Sequence, residues 1–341
     1  MTAMNRLPAY ALAAAVTALG WGDAAQAQTA IAVGDFQSTQ HILSVEGVRH
    51  WMALVEERVG DSVSFTHFPA EQAAPAAGLL DAVRNNVIQA ALMGPPYHTD
   101  RMPLNSIVGL PGLYTSSAQG SAVIHQMSTQ GSLRQEYTNE GVVPIFSVVL
   151  PPYQILVRDR QLGMPSDWEG LNIRTGGTTQ ALTARALGAV GISLPGPEVY
   201  SAVERGRVDA VLFPLSSVAG YNLQEVVNYI SANGALGGFS ITMVMNQSVF
   251  EGLDEDVRDA LLEAGNETTV HLAEAQDASI ASLLEGWAAE GTTIFNFSQE
   301  ELDAIAEAMA EVANDWVTRT SERNSAAAEV LEEYRNALAT F

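Results

Sequence analysis

Apolar positions along this chain alternate between two periods. Ile31–Phe36 and Val63–Phe68 read as strands, and between them Val45, Val48, Met52, Val55 and Val59 recur at steps of three and four, which puts them on one helix face stopped by Gly60. Pro75–Arg84 predicts a second helix and Val87–Met93 a third strand. The same order returns further on. Leu171–Arg174 reads as a strand, Gly176-Gly177 as a tight turn, Thr178–Leu187 as a helix closed by Gly188, and Ile192–Leu194 as a strand. Gly196 and Pro197 lead into a helix ending at Gly206, followed by a strand over Val208–Phe213. Strands separated by helices of this length pair in parallel through right-handed crossovers, so the pattern predicts an α/β fold with two similar lobes.

The connecting stretches carry their own signals. Val142–Val157 is extended chain broken by Pro151-Pro152, and Phe239–Asn246 is an apolar strand candidate; strands crossing there would form a hinge. Leu253–Ala281 reads as a long helix, expected to run between the lobes, with Asp254-Glu255-Asp256 at the end where negative charge is favoured. Ser298-Gln299-Glu300-Glu301 is a capping box, and Leu302, Ile305, Met309, Val312 and Trp316 continue at helical spacing. A last amphipathic helix reaches towards Phe341.

In an open parallel sheet, ligands are met beyond the carboxyl ends of the strands. Arg174 stands at such an end, beside a turn that opens a helix, where a guanidinium and free N–H groups together suit a carboxylate. From the first repeat, the same rule selects Gln37, Ser38 and His41 after the first strand, and Tyr97 after the third, as substrate-binding candidates.

Composition narrows the function. The first 27 residues predict a signal peptide: Arg6 before the small apolar run from Ala9 to Trp21, then Ala25-Gln26-Ala27 as the cleavage site, which implies an exported, periplasmic protein. The chain has no cysteine, which excludes disulfides, thiolate catalysis and Cys-ligated metals. Its 16 basic residues are all arginine, so Schiff-base and P-loop chemistry are excluded. A net charge of −23 argues against nucleic acid as a partner. No nucleophile elbow, metalloprotease helix, dinucleotide turn or EF-hand loop occurs, and the six histidines show no metal-ligand spacing. The reading is a binding protein rather than an enzyme, with no catalytic residue, metal or cofactor.

Four segments carry a family resemblance: Asp167-Trp168-Glu169-Gly170-Leu171-Asn172-Ile173-Arg174; Ala186-Leu187-Gly188-Ala189; Glu198-Val199-Tyr200-Ser201-Ala202-Val203-Glu204-Arg205-Gly206-Arg207-Val208-Asp209-Ala210; and Leu223-Gln224-Glu225-Val226-Val227-Asn228-Tyr229. Together they resemble the DctP-like solute-binding proteins of TRAP (tripartite ATP-independent periplasmic) transporters. The resemblance implies a two-lobed periplasmic binding protein (Venus-flytrap) fold with crossing strands and long helices between the lobes. It implies a small organic acid as ligand, the small and large membrane subunits of a TRAP permease as partners, and the carboxylate-binding arginine of the family at Arg174. The implied organisation is residues 1–27 signal peptide, 28–151 first part of lobe I, 152–237 lobe II, 238–278 return to lobe I, and 279–341 C-terminal helices packing on lobe II and across the lobes.

Relatives that bind sialic acid or dicarboxylates often carry a second arginine about 20 residues before the first, where this chain has Gln154 beside Tyr153. Phe213 occupies a strand end where a polar pair is common. With one arginine, and with Phe213, Tyr153 and Tyr97 as walls, the pocket suits a monocarboxylate with an apolar or aromatic body. Two alternatives stay open at this point: a binding protein of an ABC importer or sensor, and an exported α/β enzyme acting on a carboxylate.

Overall fold

The structure is a computed structural model, and it describes residues 28–340; the expected signal peptide, 1–27, lies outside them. Strands β1 (Thr29–Asp35), β2 (Val63–Phe68) and β3 (Ala90–Met93) pair in parallel, with β1 between the other two. The first helical face begins at Leu43, two residues earlier than its spacing predicts. Residues Leu43–Arg49 wind with π-type turns before merging into the α-helix His50–Val59, and Val48, Trp51 and Val55 are its buried stripe. After helix Ser117–Thr129, β4 (Val142–Val149) joins the same sheet as an edge strand.

The chain then leaves for a second sheet. Its strands are β5 (Gln154–Val157), β6 (Asn172–Thr175), β7 (Val190–Ser193), β8 (Ala210–Phe213) and the three-residue β9 (Tyr229–Ser231). Here β6 pairs in parallel with β7 and β8, as the strand and helix alternation predicts, whereas β5 runs antiparallel to β8 and β9. β10 (Ser240–Asn246) returns to the first sheet between β3 and β4, antiparallel to both, and β11 (Thr293–Phe295) completes the second beside β9. The sheet orders are β2-β1-β3-β10-β4 and β11-β9-β5-β8-β6-β7. Every residue of β3, β4, β5, β8 and β10 is buried, the burial expected of strands covered on both faces.

Two segments connect the sheets, and they are tied to each other. Leu150 N–H donates to Phe239 O at 2.8 Å, Tyr153 N–H to Gly237 O at 2.9 Å, and Leu236 N–H to Tyr153 O at 3.1 Å. These bonds lie at the Pro151-Pro152 break, where proline's missing N–H prevents a continuous ladder. The helix Glu255–Ala289 runs 35 residues, about 50 Å at 1.5 Å per residue. It packs on helices His50–Val59 and Ser117–Thr129 and on β4 at one end, and on Leu215–Val218 and β11 at the other. It extends past Ala281 and through Gly286, and stops just before Gly291, whose φ of +103° favours glycine.

The capping box at Ser298 is formed on both sides, Ser298 Oγ accepting from Glu301 N–H and the Glu301 carboxylate from Ser298 N–H. The apolar spacing that follows spans two helices, Gln299–Met309 and Val312–Ser321, rather than one. The phase of the buried residues survives the break, with Ile305, Val312 and Trp316 all inside, so periodicity could not reveal it. Trp316 Nε1–H donates to Ser106 Oγ at 2.8 Å, and helix Ala327–Leu338 packs on helix Ser117–Thr129. The short β9 and β11 carry too few residues for a period and were not legible beforehand.

Candidate functional site

Arg174 is the third residue of β6, and the neighbouring strand ends decide what its side chain meets. Its Nε and Nη2 donate to Leu194 O at 2.9 and 2.7 Å, just beyond β7, and its Nη1 donates to Leu212 O of β8 at 3.1 Å. The Phe213 ring lies beneath, 5.0 Å from Cζ. The side chain is 1% exposed. The ion pairs among the described residues involve Arg58, Arg84, Arg101, Arg158, Arg185, Arg319 and Arg335, not Arg174. A buried cation without a counter-ion is costly, and an anion entering beside it would offset that cost. Of five guanidinium N–H donors, the two carbonyls occupy three; one remains on each Nη, and the Tyr97 and Tyr153 hydroxyls lie within hydrogen-bond reach of the guanidinium.

The cavity at the guanidinium draws walls from both lobes. Phe36 and Gln37 follow β1, Tyr97 follows β3, Leu150 and Tyr153 come from the crossing segment, and Phe239 and Ile241 from the start of β10. Gly196, Phe213, Ser217 and Tyr221 close it from the side of the second sheet. The space left between these walls is about 20 Å³, room for about one water molecule, so the walls are drawn in close around the guanidinium. Arg174 is the single charged residue in the lining. A larger surface groove of about 650 Å³ contains Arg185, Arg319 and Arg323. There Arg185 and Arg319 are more than half exposed and share Asp315, and Arg323 is exposed on Thr99 O, so that groove does not bury its cations.

Three phenols surround the arginine. Tyr97 Oη accepts from Gly196 N–H at 3.0 Å, a bond from one lobe to the other, and keeps its own O–H to donate. Burial pushes the Tyr97 and Tyr153 hydroxyls above the usual phenol range against the opposing pull of Arg174, and burial likewise raises Tyr221. All three stay neutral donors at neutral pH. Tyr221 reaches its place only because residue 196 is glycine: a Cβ there would stand 2.7 Å from the Tyr221 hydroxyl.

Five candidates from the sequence, Arg174, Gln37, Tyr97, Tyr153 and Phe213, line this one cavity. Gln37 is held by Asp35, whose Oδ1 accepts the Gln37 N–H at 2.9 Å, and neither of its side-chain amide atoms has a partner. His41 lies behind the wall, fully buried, with its ring 5.0 Å from that of Tyr221. Its Nδ1 accepts from Leu43 N–H at 3.1 Å, and burial lowers its pKa to about 3, so the ring is neutral with the proton on the unpartnered Nε2. Ser38 and Gln154 are not in the lining. Ser38 O accepts the His41 N–H at 3.0 Å. The Gln154 Oε1 accepts from Ser231 Oγ at 2.9 Å and from Gly234 N–H at 2.7 Å, bracing the loop after β9. Sequence reasoning did not single out Phe36, Ser217, Tyr221 or Phe239. Ser217 and Tyr221 follow the end of β8, so the strand-end rule that selected Phe213 could have been carried further along the chain.

Two lobes tied by paired crossing segments, holding a buried and unpaired arginine between them, define a receptor for a small anion. The chain belongs to the bacterial extracellular solute-binding proteins of family 7, DctP, whose model matches residues 35–319. A curated solute-binding protein of Albidiferax ferrireducens is 25% identical over 64% of this chain, a match that spans 65% of the relative's length. The C4-dicarboxylate-binding periplasmic protein of Rhodobacter capsulatus is 29% identical over 51% of this chain and 53% of its own. Among solved structures, a TRAP solute-binding protein from Rhodoferax ferrireducens with copurified benzoate superposes at a TM-score of 0.85 and 22% identity, covering 92% of this chain and 98% of that one. A marine-metagenome protein with 3-hydroxybenzoate gives 0.86 at 17% identity, covering 92% and 99%. These structural likenesses establish the two-lobed fold.

Proposed function

We propose that this receptor binds a small monocarboxylate with an apolar or aromatic body and presents it to the small and large membrane subunits of a TRAP permease. The observation that carries the reading is the buried guanidinium of Arg174, which meets two backbone carbonyls and two phenols but, among the described residues, no carboxylate. The ligand's carboxylate supplies that partner, and the rings of Phe213, Tyr153 and Tyr97 enclose its body. Solved relatives of the same fold bound to benzoate, 3-hydroxybenzoate and mandelate support an aromatic body.

A dicarboxylate would need a second cation. Arg158 lies at the surface on Asp159 and Val203 O, and Arg160 Nη2–H donates to Asp167 O, so neither is in the lining. Closure brings contacts from one lobe to the other around the ligand: Tyr97 to Gly196, His41 over Gly220, and Pro96 against Gly177. The ligand leaves unchanged, in keeping with a family of transport receptors. The test is thermal unfolding of the exported chain against aromatic monocarboxylates, branched 2-oxo acids, four-carbon dicarboxylates and sugar acids. Ligand at about 100 times its Kd adds about 2.7 kcal/mol, a shift of several degrees. Aromatic or branched monocarboxylates giving the largest shift is the expected result; a dicarboxylate or sugar acid doing so overturns it. Mass spectrometry of the ligand after incubation tests for turnover.

A further inference from the structure

We propose that the ligand carries, besides its carboxylate, a neutral hydroxyl group, and that Gln37 and Ser217 recognise it. This rests on the carboxylate reading of the same site. Gln37 is 0% exposed and lines the cavity, and neither its Oε1 nor its Nε2 has a hydrogen-bond partner in the protein. Ser217, 2% exposed, lines the same cavity from the other lobe, and its Oγ is also unpartnered. Buried amides and hydroxyls are nearly always hydrogen-bonded, and one left without a partner disfavours the closed form. Three such atoms in one small cavity therefore indicate what completes them.

The chemistry of the amide selects the group. A hydroxyl both accepts and donates, so it can take the Nε2–H and give its proton to Oε1, while Ser217 Oγ can serve as either donor or acceptor. A bare hydrocarbon body leaves all three atoms unsatisfied. A second carboxylate accepts only, would face Oε1 without a proton to give, and would lie near Asp35, whose carboxylate holds the Gln37 backbone N–H. A ketone also accepts only. Gln37 is fixed from the first lobe and Arg174 from the second, so the hydroxyl is recognised only when the lobes come together on a molecule that spans both. Gln37 is in this sense a specificity-determining residue: it ranks ligands that Arg174 alone would treat alike.

The experiment is isothermal titration of ligand-stripped protein with matched pairs at pH 7.5: benzoate against 3- and 4-hydroxybenzoate, phenylacetate against mandelate, and isovalerate against 2-hydroxyisovalerate. The expected result is that at least one hydroxylated acid binds tenfold or more tightly than its parent. In Gln37→Leu that gap should fall to within threefold, because the hydroxylated acid loses its partner while the parent acid no longer strands a buried amide. Thermal unfolding of the ligand-free variant shows that it is folded; Ser217→Ala, a smaller change, should narrow the gap in the same direction. Parents binding as tightly as every hydroxylated counterpart would overturn the proposal and leave the carboxylate reading intact. No binding by any acid of the panel would overturn both.

Discussion

Replacing Arg174 separates the binding role from the structural one, because the two make opposite demands on the same side chain. Arg174→Met keeps most of the volume and removes the charge. In the free protein the variant loses three hydrogen bonds to Leu194 O and Leu212 O, each worth about 1 kcal/mol net, and is relieved of an uncompensated buried cation costing several kcal/mol. These changes oppose each other, so the free protein's unfolding free energy should move by no more than about 2 kcal/mol. In the complex nothing offsets the loss. Removing one partner of a desolvated, hydrogen-bonded charge pair costs about 2–5 kcal/mol, or roughly 30- to 5,000-fold in Kd. Isothermal titration with the tightest acid of the panel, paired with urea unfolding of the free protein, measures both quantities. A Kd within threefold of the unaltered protein would refute the argument. So would a loss of binding matched by an equal loss of free-protein stability, which would make Arg174 a brace for its lobe. Arg174→Lys, which keeps charge but cannot supply a planar pair of donors, should bind at least tenfold more weakly.

Other contacts around the cavity give independent tests. Gly177 has extended backbone that any residue can adopt, yet a Cβ there would stand 2.7 Å from Pro96 O of the other lobe; Gly177→Ala should weaken binding by about 5- to 150-fold, the equivalent of 1–3 kcal/mol of overpacking, with free-protein melting unchanged in calorimetry. Tyr97→Phe removes the bond from Gly196 N–H and should cost about 1 kcal/mol, roughly fivefold in Kd by titration. His41 is neutral in the closed form because burial lowers its pKa from 6.5 to about 3, and part of that burial comes from Gly220 and Tyr221 of the other lobe. A depressed pKa stabilises the closed form in full above pH 6.5 and progressively less as pH falls towards 3, so affinity should drop by up to about tenfold per unit below 6.5, and His41→Phe should flatten the profile between pH 7.5 and 5.

The parts of this design that were legible in the sequence follow simple periods and strand-end rules. Arg174 could be placed because a strand, a Gly-Gly turn and a helix follow in immediate succession, and Gln37 and Tyr97 because the first lobe repeats that grammar. What could not be read depends on distant approach. Gln154 is an amide beside a tyrosine on an apolar strand, and nothing local shows that Ser231 and Gly234, from the far end of the lobe, take up its Oε1. Tyr221 belongs to the cavity because Gly196 makes room for it, a pairing of residues 25 positions apart that neither period reports. The break between Met309 and Val312 is invisible for the opposite reason: the buried phase is preserved across it.

The net charge of −23 bears on how such a site can work. Averaged over the surface, this charge repels an organic anion, but salt screens exposed charges beyond roughly 8 Å under physiological conditions. It therefore acts on the approach of the ligand more than on the closed complex. Inside, the sign is set locally. Arg174 is the sole charged residue in the lining, and its phenolic neighbours are held neutral by burial. Two backbone carbonyls fix the guanidinium plane, so its remaining donors are already oriented before a carboxylate arrives, which reduces the entropy lost on binding. A surface arginine in the same chain, such as Arg185 or Arg319 on Asp315, has a ready counter-ion and gains little from a second. Burial without a counter-ion thus sets Arg174 apart from these surface arginines, and it is the reason this one of 16 is proposed as the ligand site of an otherwise strongly acidic protein.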